Sequence, residues 1–175
     1  MATVSEFLRT ETRDRHAATE QAMARAADLT TDAGWNTYFG VMYAVTAEHA
    51  DALDDAAMLA DVPPRSERLL VALERDAAAA ADLEPVVASS AEAIAGIAYT
   101  LEGSALGAEV LRRRLPVGRR SAYLDLLIDG RADRWRAIRR WLDTMPASSM
   151  PVMLRWADET FGRTLALCES GAHRR

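Results

Sequence analysis

A histidine and a glutamate near the start of the chain have a spacing that suits metal binding. His16 and Glu20 are four residues apart, so they share one face of a helix. A histidine that binds iron through one ring nitrogen needs an acceptor for its other N–H, and Glu20 could be that acceptor. Arg9 lies two turns earlier and could reach an anionic edge of the same ligand. The alternative is an ordinary solvated helix face that carries charged residues.

Two glycines form a second candidate site further along the chain. Gly103 and Gly107 are four residues apart in the segment 98–108, whose other residues favour a helix. Glycine costs about 1 kcal/mol relative to alanine inside a helix. Two glycines on one helix face therefore indicate that something approaches the backbone closely. Either a neighbouring helix or a ligand could be that partner, and the spacing alone does not choose between them.

Together these two segments resemble the bacterial biliverdin-forming heme oxygenases. Residues 8–20 match the family pattern Leu-Arg-x-x-Thr-Arg-x-x-His-x-x-x-Glu in full. Residues 99–107 match the pattern Tyr-x-x-Glu-Gly-Ser-x-Leu-Gly, and Ala108 stands where the family commonly has a further glycine. The stretch 35–43 is similar to the family's second helix. The resemblance covers most of the chain and keeps the order and spacing of the motifs.

The resemblance implies that heme is both cofactor and substrate, and that it lies between the first helix and the glycine-bearing helix. His16 would be the proximal ligand of the heme iron, and Glu20 would orient its imidazole. Arg9 and Tyr99 would bind the heme propionates, a role for which the planar guanidinium group is well shaped.

On the opposite face of the heme, the resemblance implies that Gly103 and Gly107 let the backbone pass directly over the porphyrin. Ser104 would help to hold an ordered water. The implied reaction is oxidative cleavage of heme at a meso carbon to biliverdin, carbon monoxide and iron. It uses O2 and electrons from an external donor such as a ferredoxin or a reductase, because the chain carries no flavin or nucleotide fingerprint.

Two alternatives stay open at this point. The first is a non-catalytic heme-binding, transfer or sensing protein of the same fold, which the departure at Ala108 keeps open. The second is a heme-free protein of that fold. A thiaminase-like relative needs a nucleophilic cysteine in its pocket, and a di-iron relative needs several Glu and His ligands. Cys168 in the last helix is a poor nucleophile candidate, and the chain has 3 histidines.

Composition bounds the rest of the interpretation. The chain has 175 residues, 50% of them hydrophobic, which suits a single domain over residues 1–175. A net charge of −5 argues against nucleic-acid binding. One cysteine excludes an internal disulfide, and neither a membrane span nor a signal peptide is recognisable, so we expect a cytoplasmic protein. Every basic residue is arginine, and a patch at 112–114 and 119–120 could attract an acidic electron donor.

The hydrophobic periodicity is helical throughout and predicts an all-α multi-helix bundle, which the resemblance makes heme oxygenase-like. Pro85 is expected in the first turn of the helix that carries the two glycines. Trp135 and Phe161 are expected in the core, and 48–51 is a weak metal-binding candidate. The predicted helices run from about 3 to 28, 35 to 59, 66 to 82, 86 to 115, 119 to 128, 131 to 144 and 151 to 169.

Overall fold

The computed structural model describes residues 2–77 and 85–170, which form α-helices and short 3-10 turns and contain no strand. The all-α fold class is therefore confirmed. The helices are α1 (Val4–Glu11), α2 (Arg13–Ala26), α3 (Asp32–Glu48), α4 (Ala50–Leu59), α5 (Ser66–Asp76), α6 (Ala91–Ser104), α7 (Ala108–Arg113), α8 (Ala122–Ile128), α9 (Arg131–Leu142) and α10 (Met150–Ser170), with 3-10 turns at Ala105–Gly107 and Ala147–Ser149.

The first predicted helix is two helices that meet at Thr12. Thr3 caps α1 in a reciprocal arrangement with Glu6, as its side chain suggests. At Thr12 the backbone turns to φ −90° and ψ −2°. The Thr12 hydroxyl donates to the Leu8 carbonyl oxygen at 2.7 Å. A side chain that bonds back to the preceding turn is a common cause of a local break in a helix.

The second predicted helix is also interrupted, at His49. The side chain of Thr31 caps α3 by accepting from the Gly34 N–H at 3.0 Å. At the other end, the Glu48 carbonyl oxygen accepts from the Val86 N–H at 2.7 Å. This carbonyl oxygen is therefore hydrogen-bonded to a segment distant in sequence. Helix α3 ends here, and α4 begins after a single intervening residue, His49.

The segment before α6 differs from the prediction. Residues 85–89 are not helical, so the placement of Pro85 in the first turn of the helix was wrong. Ser90 caps α6 instead, and its hydroxyl oxygen accepts from the Ala93 N–H at 3.2 Å. Helix α5 ends at Asp76, and the rest of its predicted length, from 78 to 82, lies outside the described residues.

A glycine that the sequence interpretation passed over brings α6 against α10. A Cβ added at Gly96 would lie 2.3 Å from the Met153 carbonyl oxygen and 2.8 Å from the Trp156 Cβ. No side chain fits there, so the two helices cross with their backbones close together. The close packing of α6 against α10 is therefore at Gly96, about two turns before the first glycine of the motif.

The buried residues fall mainly into two clusters. One joins α3, α5, α7 and α8 around Phe39 and Leu73, both 0% exposed. The other joins α1, α4, α6, α9 and α10 around Ile97 and Met153, also 0% exposed. Helix α6 thus has one side in the core and leaves another side for a site. Within residues 2–77 and 85–170, no helix has both the length and the apolar character required to cross a membrane.

Candidate functional site

A cleft of about 440 Å³ opens between α1, α2, α6 and α9, within the usual size range of small-molecule sites. Five predicted site residues line it, and two do not. The five are Arg9, His16, Tyr99, Gly103 and Ser104. Glu20 lies one turn beyond His16, and Gly107 follows Leu106, which lines the cleft. Residues that are far apart in the sequence are thus brought together by the packing of these helices.

His16 is the histidine of the cleft, and its imidazole could coordinate a metal ion through nitrogen. Its side chain is 51% exposed, and its Nε2 lies 3.7 Å from the Glu20 Oε1, longer than a hydrogen bond. The edge of the imidazole packs against the Phe161 ring, with 5.8 Å between ring centroids. Phe161 was expected in the core; it is buried, yet it also lines the cleft. The imidazole is therefore held by packing, which leaves it able to bind a ligand.

One part of the cleft is suited to carboxylate groups. The Tyr99 hydroxyl lies 3.5 Å from the Thr12 Oγ1. Burial raises the pKa of Tyr99, while the hydrogen bond from Thr12 and the charges of Arg9 and Arg139 act to lower it. Tyr99 therefore stays protonated and can donate to an anion, with two guanidinium groups close enough to affect its titration.

Arg139 is a cleft residue that the sequence interpretation missed. It comes from α9, and its Nε lies 3.4 Å from the Ser5 Oγ at the start of α1. Neither motif includes it, and it is forty residues past Tyr99 in the chain. Only the packing of α9 beside α1 brings it to the cleft, so no local signal in the sequence could have identified it.

The two motif glycines have room for a side chain in the free protein. A Cβ at Gly107 would meet no heavy atom within 4 Å, and a Cβ at Gly103 would meet only the Trp135 indole, at 3.4 Å or more. Packing within the chain therefore requires glycine at Gly96, where a Cβ clashes, but at neither of these two positions. The sequence left two explanations for the glycine at 107, a neighbouring helix or a ligand. Among the described residues, no helix lies close enough to Gly107 to require glycine there.

The glycine-bearing segment 98–108 turns tightly just after Ser104. The Ser104 hydroxyl donates to the Leu101 carbonyl oxygen at 2.7 Å, so its own oxygen can accept from a further donor. The chain then forms the 3-10 turn Ala105–Gly107. Ala108 is 1% exposed and packs in the core cluster of α3, α5 and α8. Its methyl group points away from the cleft, so the departure from the family pattern does not alter the surface offered to a ligand.

A buried ion cluster fixes α6 against α9 next to Gly103. Arg65 donates to the Glu102 carboxylate at 2.7 Å, and Arg134 donates to it through Nε at 2.9 Å and Nη2 at 2.6 Å. The side chains of Arg65, Arg134 and Glu102 are 8%, 10% and 4% exposed. Arg134 also donates to the Pro63 carbonyl oxygen at 2.6 Å. The cluster holds the two helices that supply most of one wall of the cleft.

Trp135 follows Arg134 and forms part of that wall. It was predicted to lie in the core; the indole is partly buried and packs against the core cluster of α6 and α10, and it also lines the cleft. Its ring lies 6.0 Å from the Tyr99 ring, centroid to centroid, at an interplanar angle of 51°.

The weaker candidates do not form sites. Glu48 is ion-paired with Arg163, and no group of three metal-ligand side chains occurs in residues 2–77 and 85–170. His49 is 4% exposed with neither ring nitrogen hydrogen-bonded, and burial lowers its pKa, so it is neutral. Cys168 is buried beside Met23, away from the cleft, and burial raises the pKa of its thiol. A raised thiol pKa is the opposite of what a nucleophilic cysteine needs.

No protein-family model and no curated protein matches this sequence. The structure, however, is similar to that of a heme oxygenase from Neisseria meningitidis solved with NO and CO bound. The TM-score is 0.81, and the similarity covers 98% of this chain and 93% of that chain. The chain has the heme oxygenase fold. The two sequences are 16% identical, so this likeness concerns the fold, and activity has to be argued from the cleft.

Proposed function

We propose that this protein is a heme oxygenase that binds heme in the cleft between α1, α2, α6 and α9. In this proposal heme is cleaved at a meso carbon to biliverdin, carbon monoxide and iron, with O2 as co-substrate. Electrons come from an external protein donor of the ferredoxin or reductase class. The side chains of Arg112 and Arg113, on the helix that follows the glycine segment, are ion-paired with Glu109 but remain exposed, and with the exposed Arg114 they would form the contact for an acidic donor.

The observation that carries the proposal is the pair of glycines without a packing requirement, next to a cleft that also holds His16. Gly103 and Gly107 each have room for a methyl group, although glycine in a helical segment costs about 1 kcal/mol relative to alanine. The free chain would thus be at least as stable with alanine at both. A flat ligand that lies against the backbone accounts for glycine there, and the fold is that of proteins that bind such a ligand.

The residues of the cleft fit heme as a group. In this proposal the imidazole of His16 would be the iron ligand, and Glu20, whose Oε1 lies 3.7 Å from the His16 Nε2, would accept from the ring nitrogen that does not bind iron. Arg9, Arg139 and Tyr99 offer donors to the two propionates. Bound heme supplies both the iron that activates O2 and the ring that is opened.

The remaining contribution of the protein is placement of the ring and of a proton donor. The backbone at Gly103 in α6 and at Gly107 in the following 3-10 turn would lie close to the ring and limit the space above the iron. The Ser104 oxygen has lone pairs left over from its bond to the Leu101 carbonyl, so it can accept a hydrogen bond from a water. Such a water, held by Ser104 Oγ, would be the proton source on the face of the heme opposite His16.

The test is an aerobic absorption time course. Purified protein is loaded with one equivalent of hemin, catalase is added, and ascorbate then starts the reaction. Decay of the Soret band into broad bilin absorbance supports ring opening. A stable Soret band under both ascorbate and an added ferredoxin system refutes the enzyme and leaves a heme-binding protein. Absence of a protein-bound Soret band refutes the whole proposal.

Two variants make this test specific to the cleft. His16→Ala should remove the ligand field of the imidazole from the hemin spectrum, and added imidazole should restore it because it supplies the missing nitrogen. Gln21→Ala, at an exposed α2 position outside the cleft, is the matched control and should behave as the wild type. An unchanged spectrum in His16→Ala would remove His16 as the iron ligand.

A further inference from the structure

The indole of Trp135 lies beside Gly103 and occupies space in the cleft that a ligand would otherwise use. Three atoms of its six-membered ring, Cη2, Cζ3 and Cζ2, lie 3.4, 3.7 and 4.0 Å from the position of a Cβ at Gly103. At Gly107, by contrast, the same position is open to 4 Å. The two glycines of the motif are therefore not equivalent, because one faces an aromatic ring of the protein and the other faces free space.

The position of this indole is fixed by its neighbours along α9. Arg134, the preceding residue, is bound to the buried Glu102 and to the Pro63 carbonyl oxygen. Arg139, one turn further on the same helix, reaches Ser5 on α1. The backbone that carries Trp135 is thus anchored next to the indole by the buried Arg134–Glu102 pair, and the Arg139–Ser5 contact lies one turn further along.

The cationic donors lie at the same end of the cleft as the indole. Tyr99 packs against Trp135 with ring centroids 6.0 Å apart, Arg139 follows Trp135 by one turn of α9, and Arg9 lines the same cleft. A planar ligand that places its carboxylates on these donors has its ring edge next to the indole. Its rotation within its own plane is then limited by an aromatic wall as well as by the ion pairs.

We propose that Trp135 is a specificity-determining residue that sets the in-plane orientation of the bound heme and thereby selects which meso carbon is cleaved. The inference rests on the proposed function, since it names a contact for the same ligand in the same cleft. Arginine–carboxylate pairs alone fix two points at one edge of a ring. A rigid side wall beside them removes the alternative placements that those two points allow.

The decisive readout is the proton NMR spectrum of the ferric, cyanide-bound hemin complex, in which the heme methyl resonances report the orientation of the ring. The variants are Trp135→Ala, Trp135→Phe and the control Trp141→Phe, a half-buried tryptophan of α9 that does not line the cleft. Trp135→Ala should give a second set of methyl resonances or a redistribution between sets. The biliverdin isomer ratio should change at least about twofold, while Trp141→Phe should match the wild type.

Other results overturn the inference. Methyl resonances and isomer ratio that are unchanged in Trp135→Ala do so, and so do equal changes in Trp135→Ala and Trp141→Phe. If Trp135→Ala does not fold, Trp135→Phe decides, because its smaller ring should still shift the methyl resonances. A wild type that binds hemin without opening the ring refutes the proposed enzyme, yet the NMR comparison still tests Trp135. A wild type that binds no hemin overturns both.

Discussion

Replacement of Gly107 by alanine should separate folding stability from ligand binding. In the free protein a Cβ at this position meets nothing within 4 Å, and the backbone there has φ −78° and ψ −14°, which alanine adopts readily. Alanine restricts the unfolded chain more than glycine does, so Gly107→Ala should raise the free energy of unfolding by about 0.4–1 kcal/mol. For a chain of this length that is a rise of roughly 1–4 °C in Tm.

Hemin affinity should move in the opposite direction. If the porphyrin lies against the backbone of the 3-10 turn Ala105–Gly107, whose Leu106 lines the cleft, the new methyl group occupies space that the ring needs, and such overpacking costs about 1–3 kcal/mol. That corresponds to a roughly 5- to 150-fold weaker Kd. The assay is a Soret titration with hemin, carried out beside thermal unfolding of the hemin-free protein, for the wild type and Gly107→Ala.

Gly96→Ala is the control for a glycine that packing does require. Its Cβ would lie 2.3 Å from the Met153 carbonyl oxygen, so Tm of the hemin-free protein should fall, with a cost of at least about 1–3 kcal/mol. The reasoning is refuted if Gly107→Ala lowers Tm as Gly96→Ala does. It is equally refuted if Gly107→Ala binds hemin as tightly as the wild type, because glycine at that position would then have no ligand to account for it.

Three further predictions concern charge. Glu102→Ala leaves two buried guanidinium groups without their carboxylate and should lower the free energy of unfolding by about 3–5 kcal/mol, measured by urea denaturation; a loss under 1 kcal/mol would contradict this. Burial lowers the pKa of His49, against an opposing effect of Glu48 and a reinforcing one of Arg163. The unfolded state therefore binds this proton first, so stability should fall as the pH falls from about 6.5 towards 5. His49→Gln should flatten that part of the profile, and an unchanged slope would assign it elsewhere. Arg139→Ala should weaken hemin binding and alter the isomer ratio without lowering Tm, and a wild-type Kd and ratio would exclude Arg139 from the site.

The sequence predicts the helical segments well but not their interruptions. Some helix starts carry a strong local signal, as Thr3 does together with Glu6 at the start of α1. The breaks at Thr12 and His49 carry no proline or glycine. The second arises because a distant backbone N–H takes the Glu48 carbonyl, and a contact of that range leaves no trace in the local pattern.

The candidate site divides in the same way. His16, Gly103 and Tyr99 belong to short motifs, so their spacing could be interpreted from the chain alone. Trp135 and Arg139 come from α9 and reach the cleft only through the packing of that helix. Helical spacing of aromatic residues favours a core position, and Trp135 does pack against the core, but the spacing could not show that the same indole also lines the cleft.

The buried cluster of Arg65, Glu102 and Arg134 also has a consequence for how this protein can diverge. Arg65 at the N-cap of α5 and Arg134 in α9 are both ion-paired with Glu102 in α6. A change in one of the three therefore leaves a buried charge of the others without its partner. Among relatives, these three positions should therefore covary, with the full set kept or the full set replaced by apolar residues of similar volume. A lineage that passes from one state to the other has to cross destabilised intermediates, which makes the cluster a slow-changing marker of descent within the fold.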